Sequence, residues 1–471
     1  MKKYLIILGL IATITSCDDQ LDRTPVDQLI SETAFETVDD IEAGVVGIYT
    51  DYDPQNVLNI NDIFTDNAKL GLNSGGQKIN VLNQVLNTSA NSAGIWLNRY
   101  RVANSCNRII AAAETVTVEN DSEQDRLDNL LAQAYGLRAL SHFDVLVYYG
   151  EDFTSPGALG VPYQDEVQTT GNITRETTQG TVDLILQDLN TANSLLSADF
   201  DDNKSVTQDF VSFLKAKVAL ITEDWSGVIN NTDGLINEYP LADQTQYQDM
   251  FAADADDTEV IFAYDNVNGF NRSPASEFRF TASTTDNSFI EMSNGLFDAL
   301  AAANDVRFAV NFDQESDLAA GEIAINKYPA VGGIFVNDFK LMRISEAYLM
   351  RAEAFARGNV GTFQDAAEAV QAVKNARSGS AATATPYANL NEAIADIKLE
   401  RRLELCFEGH RYVDIKRYRN ILNEGINRDP RDCGGSTPCS LPVSARRWTF
   451  PIPLVETRAN VDIQQNPDWN N

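Results

Sequence analysis

Histidine is nearly absent from this chain of 471 residues: His142 and His410 are the only two, and they lie far apart in the sequence. No nearby pair of cysteines accompanies either of them, so the ligand spacing of a structural zinc site is missing. The stretch DFDDNK, residues 199–204, begins like a calcium loop but has lysine where glycine is needed. The sequence therefore predicts no metal site and no cofactor.

The short motifs of common enzymes are missing as well. There is no GxSxG elbow, no Walker loop, no GxGxxG fingerprint and no HExxH helix in the chain. Any catalytic site would have to be built from residues outside these motifs.

Basic residues are few, because 36 lysines and arginines stand against 68 aspartates and glutamates, giving a formal charge of −32. Such a charge repels phosphate backbones and anionic lipid headgroups, so we exclude nucleic acid as a partner. The length and the 44% apolar content are sufficient for a large hydrophobic core.

The only strongly apolar run lies at the N-terminus, where Lys2 and Lys3 precede apolar residues 4–14 and then Cys17. This layout is typical of a secretory signal, and the run is too short for a helix that needs about 20 residues to cross a bilayer. The letters ITSC match the lipobox of bacterial lipoproteins. We therefore predict a signal peptide at 1–16, lipid attached to Cys17 and a soluble remainder, the alternative being an ordinary secretory signal with an incidental cysteine.

The other four cysteines fall into two groups. Cys433 and Cys439 lie in CGGSTPC, a short glycine- and proline-containing loop of an exported chain, and this favours a local disulfide. Cys106 and Cys406 lie among apolar residues of predicted helices, where a free thiol is usually a small buried hydrophobe.

Apolar residues recur mostly at helical spacing, which predicts an all-α dominated fold. The predicted helices are 125–149, 177–196, 208–221, 338–357, 362–376 and 390–407. Strands are scarce, and the best candidates are 259–265 and 446–453.

Two segments, 213–236 and 347–373, resemble each other. Each runs from a helix rich in small residues through a polar or glycine-containing turn into a second amphipathic helix, as in tetratricopeptide-type repeats. Between them, residues 230–336 are rich in Asn, Asp, Gly and Ser with scattered aromatics. A loop region of this length is usually functional.

The stretch ERRLELCFEGHRYVDIKRY, residues 400–418, is the one place that could imitate a catalytic site. Glu400, Glu404 and Glu408 share one helix face with Cβ atoms about 5 to 6 Å apart. That spacing is near the separation of about 5 to 5.5 Å between the carboxyl groups of a retaining glycosidase. A glycosidase using Glu404 and Glu408 is therefore one hypothesis.

Electrostatics favours a structural role for this stretch. A glycosidase needs one carboxylic acid with a raised pKa, whereas the neighbouring Arg401, Arg402 and Arg411 favour the ionised form. We therefore predict that the acids are held by these interleaved arginines and that Gly409 turns the chain in a left-handed conformation.

Five segments in order resemble the SusD/RagB family of surface lipoproteins. They are CDDQLDRTPVDQLISETAFETVDDIEAGVVGIY, LRALSHFDVLVYYGED, RISEAYLMRAEAFARGN, ERRLELCFEGHRYVDIKRY and FPIPLVETRANVDIQQNPDW. The segments are spread from Cys17 to near the end of the chain, so the likeness extends over essentially the whole mature sequence. Cys406, and Asp468 with Trp469, depart from the family's usual residues without bearing on ligand choice.

The resemblance implies four tetratricopeptide-like helical hairpins forming an α/α superhelix, with an irregular loop-rich lobe and few short strands. The corresponding division is 1–16 signal peptide, 17–229 first hairpins, 230–336 ligand lobe and 337–471 later hairpins. It also implies a lipid anchor in the outer membrane, facing outward, and a SusC-like TonB-dependent transporter as partner. Such a protein binds glycan and delivers it without catalysis.

The resemblance places the ligand in the irregular lobe, where aromatic faces would meet sugar rings and polar side chains their hydroxyls. The candidate residues are Asn67, Asn73, Trp96, Tyr264, Phe270, Arg272, Phe278 and Arg279. Two further hypotheses stay open beside the glycosidase: a peptide-binding lid of an uptake complex, and a tetratricopeptide adaptor without a small ligand.

Overall fold

The computed structural model describes residues 35–89, 93–168, 172–266, 273–279, 288–330 and 335–469. In these ranges helices dominate. The helices are α1 (Val38–Asp51), α2 (Gln55–Asp62), α3 (Ile79–Leu82), α4 (Ala93–Ala113), α5 (Asp121–Tyr149), α6 (Thr178–Leu195), α7 (Gln208–Ile221), α8 (Trp225–Glu238), α9 (Gln244–Ala252), α10 (Pro274–Phe278), α11 (Asn294–Ala303), α12 (Val306–Asn311), α13 (Ile344–Arg357), α14 (Phe363–Ser378), α15 (Leu390–Leu405), α16 (Arg411–Leu422) and α17 (Leu454–Ala459).

The strands are short and form three two-stranded antiparallel sheets among the described residues. They are β1 (Ala68–Leu70) with β3 (Ile290–Met292), β2 (Val260–Tyr264) with β4 (Phe339–Arg343), and β5 (Ile426–Asn427) with β6 (Ser440–Leu441).

Successive helices pack as hairpins: α4 with α5, α7 with α8, and α13 with α14. The hairpins also pack side by side, since α5 contacts α6 and α13 contacts α8 and α15. Gly358 marks one close approach, because a Cβ there would lie 2.2 Å from the Cβ of Trp225 at the start of α8. The helix-dominated fold with tetratricopeptide-like hairpins and few short strands is therefore confirmed.

Capping side chains explain where two of the predicted helices begin. α7 matches its predicted range, because the Thr207 hydroxyl accepts from the backbone N–H of Phe210 and starts the helix. α5 begins four residues earlier than predicted, at Asp121, because the Asn120 side chain caps it by accepting from Glu123 N–H, and it ends at Gly150. The strand predicted at 259–265 is confirmed as β2.

The helix predicted over 338–357 is wrong in its first third. Phe339–Arg343 forms β4, which pairs with β2 and is buried along its whole length, and the helix starts only at Ile344. The apolar residues of β4 continue the period of the following helix, so the sequence alone did not reveal the change.

The strand predicted at 446–453 is also wrong. Arg446–Trp448 is a 3₁₀ turn, and the extended residues after it find partners outside any sheet. Phe450 N–H, for example, donates to the Tyr148 carbonyl at 2.9 Å. Pro451 and Pro453 lack the N–H groups that a strand ladder would use.

One apolar core runs from α1 to Trp469 and includes residues of all three predicted regions of the mature chain. Residues 230–336 join it through β2, which pairs with β4, and β3, which pairs with β1. This segment contains the short helices α9 to α12 as well as loops. A smaller apolar cluster lies between α13, α14 and α15. No helix in the described ranges is both long and apolar enough to cross a bilayer.

Candidate functional site

Glu404, near the end of α15, lies in a buried cluster of acids and bases. Its carboxylate accepts hydrogen bonds from Arg377 at 2.8 and 3.0 Å and from Arg343 at 2.9 Å. The same two arginines bind Glu259 at 2.6 and 2.9 Å. All four side chains are almost completely buried. The cluster therefore ties together α14, the end of β4, the start of β2 and α15.

The neighbouring glutamates are held in the same way. Glu408 accepts from Arg343 at 2.7 and 2.8 Å and from Lys327 at 2.5 Å. Glu400 accepts from Arg307 of α12 at 2.6 Å. The acids are therefore held by basic side chains, but these bases come from distant parts of the chain and are not the predicted arginines.

The three arginines interleaved with the glutamates have other partners, which corrects the predicted pairing. Arg401 binds Asp414 at 2.8 Å, whereas Arg402 and Arg411 bind the 66–67 turn that follows α2. Residues next to one another on a helix point in different directions, so sequence proximity did not identify the ion pairs. Gly409, at φ +87°, turns the chain towards α16 as predicted.

The electrostatics of this cluster argues against acid catalysis. Burial raises the pKa of Glu404, but the positive charges of Arg377 and Arg343 outweigh it and hold that pKa well below its usual range. For Glu408, Arg343 and Lys327 likewise overcome burial and lower the pKa. Both carboxylates are thus ionised, buried and fully hydrogen-bonded, so neither is suited to act as a proton donor to a substrate.

A cleft of about 360 Å³ opens where the loop 71–78 meets α10 and β3. It is lined by Gln55, Gln77, Lys78, Ser276, Glu277, Phe289, Ile290 and Phe335. We refer to it as the 71–78 cleft.

Contacts between separate segments hold the walls of the 71–78 cleft in place. Lys78 pairs with Glu277 at 2.9 Å, and the Gln55 amide donates to the Ser276 hydroxyl at 3.1 Å. The cleft combines aromatic surface with amide, hydroxyl and charged groups. Such a lining suits a ligand that has an apolar face and a polar rim.

Three of the predicted site residues lie on the elements that frame the 71–78 cleft. Asn73 is exposed in the loop itself. Phe278, at the end of α10, is buried and packs edge-on against Phe407 with ring centroids 5.3 Å apart. Arg279 is half-buried and pairs with Asp313 at 2.5 Å. The structure brings these residues to one region, but other side chains form the cleft surface.

Two further predicted residues have structural roles. Asn67 is buried and bridges two side chains, since its amide donates to Asp62 at 3.1 Å and its oxygen accepts from Arg402 at 3.0 Å. Trp96 is 1% exposed and packs against Tyr149 with ring centroids 5.0 Å apart. Neither presents a free face to a ligand. Phe270, Arg272 and Cys17 lie outside the described residues.

Tyr264 does not line the 71–78 cleft and lies in the wall of a larger cavity of about 760 Å³ between α1, the start of α5 and the loop 200–205. Its ring stacks on Tyr52 at 4.1 Å, and Arg99 covers the other face of Tyr52 at 3.6 Å. Tyr264 is 6% exposed, so it serves chiefly as core.

A third depression, the Trp96 groove, has a volume of about 350 Å³ and lies between the start of α4, residues 162–168 with Ile173, and α17. Its lining includes the edge of Trp96, Tyr100, Gln168, Glu456, Asn460 and Ile463. Glu456 is half-buried and its side chain hydrogen-bonds to Trp96, while burial raises its pKa.

His142 is a buried residue of α5. Its Nδ1 lies 3.0 Å from the Arg138 carbonyl, and its Nε2 accepts from the Gln164 N–H at 2.9 Å. The first contact needs a proton on Nδ1 and the second a bare Nε2, which defines the neutral tautomer. Burial lowers the pKa of His142 to about 3, in keeping with that form.

The remaining cysteines behave as the sequence indicates. Cys433 and Cys439 are joined by a disulfide in their short loop. Cys106 and Cys406 are free and buried.

The residues that line the 71–78 cleft were missed by sequence reasoning. Gln55, Gln77, Lys78 and Phe335 come from segments far apart in the chain, and no motif connects them. The available signal was regional: Asn73, Phe278 and Arg279, predicted from their polar and aromatic character, lie on the elements that frame this cleft.

Two family models match the chain. One, described as the SusD family, matches residues 332–469, and the other, described as starch-binding associating with outer membrane, matches residues 19–218. A curated relative, SusD-like protein P2 of Formosa agariphila, is 24% identical over 99% of this chain and 99% of its own length.

Solved structures share the fold. A SusD superfamily protein of Bacteroides thetaiotaomicron has a TM-score of 0.80 at 20% identity, and the match covers 92% of this chain and 100% of the other. A SusD-like carbohydrate binding protein of Bacteroides vulgatus has a TM-score of 0.74 at 20% identity, covering 91% of this chain and 98% of that one. A laminarin binding SusD-like protein has a TM-score of 0.71 at 19% identity, covering 92% of this chain and 100% of that one.

The helical hairpins and the few short strands thus match the fold of the SusD superfamily. The chain belongs to the SusD-like family.

Proposed function

We propose that this protein is an outer-membrane lipoprotein that binds an oligosaccharide in the 71–78 cleft and delivers it to a TonB-dependent transporter. The observation that carries the proposal is the lining of the cleft, which places Phe289 and Phe335 beside Gln55, Gln77 and Ser276. A sugar ring offers an apolar face and a rim of hydroxyl groups, so it can use both kinds of side chain at once.

The family supports glycan as the ligand class. One matching family model is described as starch-binding, and relatives of the same fold are described as carbohydrate binding and laminarin binding. None of these three descriptions specifies the sugar that this chain would take.

The protein acts by binding and not by catalysis in this proposal. Glu404 and Glu408, the carboxylates with the spacing of a glycosidase pair, are buried and held ionised by Arg343, Arg377 and Lys327. Replacing either one should therefore affect folding rather than the turnover of a substrate.

The signal-like residues 1–16 and Cys17 support a lipid anchor, and the family model refers to the outer membrane. A TonB-dependent barrel is the partner expected from the family resemblance. It would receive the glycan from a protein that faces the cell exterior.

A glycan array tests the proposed ligand class. The probe is the soluble form that lacks residues 1–17, applied to oligosaccharides and, in parallel, to a peptide library. We expect binding to a subset of glycans, weakened by the substitution Phe335→Ala. Binding to peptides and to no glycan would replace this proposal with a peptide-uptake function, and release of reducing sugar from a bound glycan would contradict the non-catalytic role.

A further inference from the structure

Arg428 lies directly after β5, in the hairpin that the Cys433–Cys439 disulfide closes. Its side chain is buried, and it forms no ion pair with a carboxylate of the described ranges. All five N–H groups of its guanidinium donate to backbone carbonyls instead. These carbonyls belong to Ile63 at 2.9 Å, Phe64 at 2.9 Å, Thr65 at 2.7 Å, Leu82 at 2.6 Å and Pro438 at 3.0 Å.

Four of these five carbonyls lie at the ends of α2 and α3. Residues 63–65 directly follow α2, and Leu82 is the last residue of α3. The last carbonyls of a helix have no partner inside the helix, and a positive charge beside them also interacts favourably with the helix dipole. Arg428 therefore holds the end of α2 and the end of α3 against each other.

The opposite ends of α2 and α3 carry residues of the 71–78 cleft. Gln55 is the first residue of α2, and Gln77 and Lys78 directly precede α3. α3 has only 4 residues, too few for a helix that is stable without outside contacts. The placement of Gln77 and Lys78 relative to Gln55 therefore depends on the contacts that hold α3. Besides Arg428, the Gln84 amide links the two helix ends by donating to a carbonyl after α2 at 3.0 Å.

The hairpin that carries Arg428 is short. Its ladder pairs only two residues of each strand, and the Arg428 N–H extends it by donating to the Cys439 carbonyl at 2.9 Å. A two-stranded hairpin by itself is marginally stable in water, whereas a disulfide restricts the conformations open to the residues that it encloses. Because Cys439 is both a member of the disulfide and a partner of Arg428, the disulfide stabilises the part of the hairpin from which the guanidinium extends.

We propose that Arg428 is a positioning residue of the 71–78 cleft and that the Cys433–Cys439 disulfide holds Arg428 in place. Arg428 does not line the cleft, so it acts through α2 and α3. This inference rests on the proposed function in taking the cleft as the ligand site, but the contact between Arg428 and the two helices is measured without a ligand.

Hydrogen exchange in the ligand-free soluble form tests how the loop 71–78 and α3 are held. The backbone N–H groups of Val81, Leu82 and Asn83 donate to carbonyls of the preceding turn, so their exchange reports the opening of α3. We expect R428A to speed the exchange of residues 71–83 at least about tenfold and to leave α7 unchanged. R428K keeps the charge and three N–H donors, so it should give an intermediate rate.

Arg175 provides a matched control. Its guanidinium also donates to backbone carbonyls, and burial lowers its pKa to about 10, as it does for Arg428. Its carbonyl partners lie outside α2, α3 and the loop between them: Tyr149, Leu159, Gly160 and Gln464. R175A should therefore leave both the exchange of residues 71–83 and glycan binding unchanged.

The double variant C433S/C439S tests the disulfide, because serine keeps both side chains small but cannot form the cross-link. It should also speed the exchange of residues 71–83. Circular dichroism shows whether each variant folds, and if R428A does not fold, R428K and C433S/C439S decide the question.

Isothermal titration calorimetry measures the consequence for binding, with the oligosaccharide that gives the strongest signal on the glycan array as the probe. If the loop is correctly placed in only about a third of the R428A molecules, the Kd rises about threefold. We expect a rise of at least this size for R428A, a rise in the same direction for C433S/C439S, and the wild-type Kd for R175A.

The outcomes separate this inference from the proposed function. Exchange of residues 71–83 that is as slow in R428A as in the wild type would overturn the inference, and so would faster exchange that extends to α7 or leaves the Kd unchanged. Wild-type exchange and Kd in C433S/C439S would overturn the role of the disulfide. A soluble wild type that binds no glycan would count against the proposed function alone, because exchange without a ligand still shows whether Arg428 holds the loop.

Discussion

The Arg377 guanidinium binds both oxygens of the Glu404 carboxylate, at 2.8 and 3.0 Å, and neither side chain has any solvent exposure. Breaking a buried pair leaves an uncompensated charge in a medium of low polarity, which costs about 3 to 5 kcal/mol. We therefore predict that Glu404→Gln lowers the free energy of unfolding by about that amount, measured by urea denaturation of the soluble form.

An exposed ion pair provides the control for that measurement. Arg431 and Asp298 lie 2.5 Å apart, but their side chains are 51% and 57% exposed. Water solvates both charges whether or not they are paired, so Asp298→Asn should leave the urea midpoint unchanged. An unchanged midpoint for Glu404→Gln would contradict the structural role of the cluster.

The long amphipathic helices could be predicted from the sequence because their apolar periodicity and their capping residues depend only on nearby residues. The limits of α7 follow from Thr207 and the apolar face of residues 208–221 alone. β4 was missed because its apolar residues form a strand only when β2 lies beside them, and that pairing joins segments far apart in the chain. The partners of Glu404 could not be predicted for the same reason, since Arg343 and Arg377 belong to other elements, far from Glu404 in the sequence.

The candidate site was less predictable than the fold for a related reason. Gln77, Ser276 and Phe335 form one cleft only after three separate segments have folded together. Aromatic residues in the sequence cannot be assigned to surface or core without this information. Trp96 and Tyr264 have aromatic rings of the kind that stack on sugars, but both are core residues.

Cysteine reactivity provides a simple test of the described thiols. The soluble form without residues 1–17 has four of the five cysteines, and two of these form the Cys433–Cys439 disulfide. Burial raises the pKa of Cys106 and raises that of Cys406 to about 12, so neither is a thiolate at neutral pH. We predict no reaction of the native protein with Ellman's reagent and two reactive thiols after denaturation without reductant. Four reactive thiols in the denatured protein would show that the disulfide is absent.

The buried histidine should make stability depend on pH. Burial holds the pKa of His142 at about 3, against its ordinary value of 6.5 in the unfolded chain. Between these values the unfolded state binds a proton that the folded state does not, so the stability from this group is complete above pH 6.5 and declines as the pH falls towards 3.

The substitution His142→Gln isolates this effect, because glutamine can still accept from the Gln164 N–H but does not titrate. Urea denaturation between about pH 4 and pH 6 should show a dependence of the unfolding free energy on pH that is shallower in the variant by about 1.4 kcal/mol per pH unit. Parallel pH profiles for the two proteins would mean that His142 takes up its proton without unfolding.

The 71–78 cleft gives the most direct prediction about ligand binding. Phe335 is half-buried in its wall, and truncation to alanine removes aromatic surface from the proposed binding site without emptying the main core. Truncating a residue that anchors the ligand lowers the binding free energy by more than about 1 kcal/mol, so Phe335→Ala should raise the Kd for the bound glycan about tenfold in isothermal titration calorimetry.

Tyr264→Phe is the control, because it changes an aromatic side chain in the other cavity and removes a hydroxyl that has no hydrogen-bond partner in the described structure. If Tyr264→Phe weakens binding and Phe335→Ala does not, the ligand lies in the larger cavity beside α1.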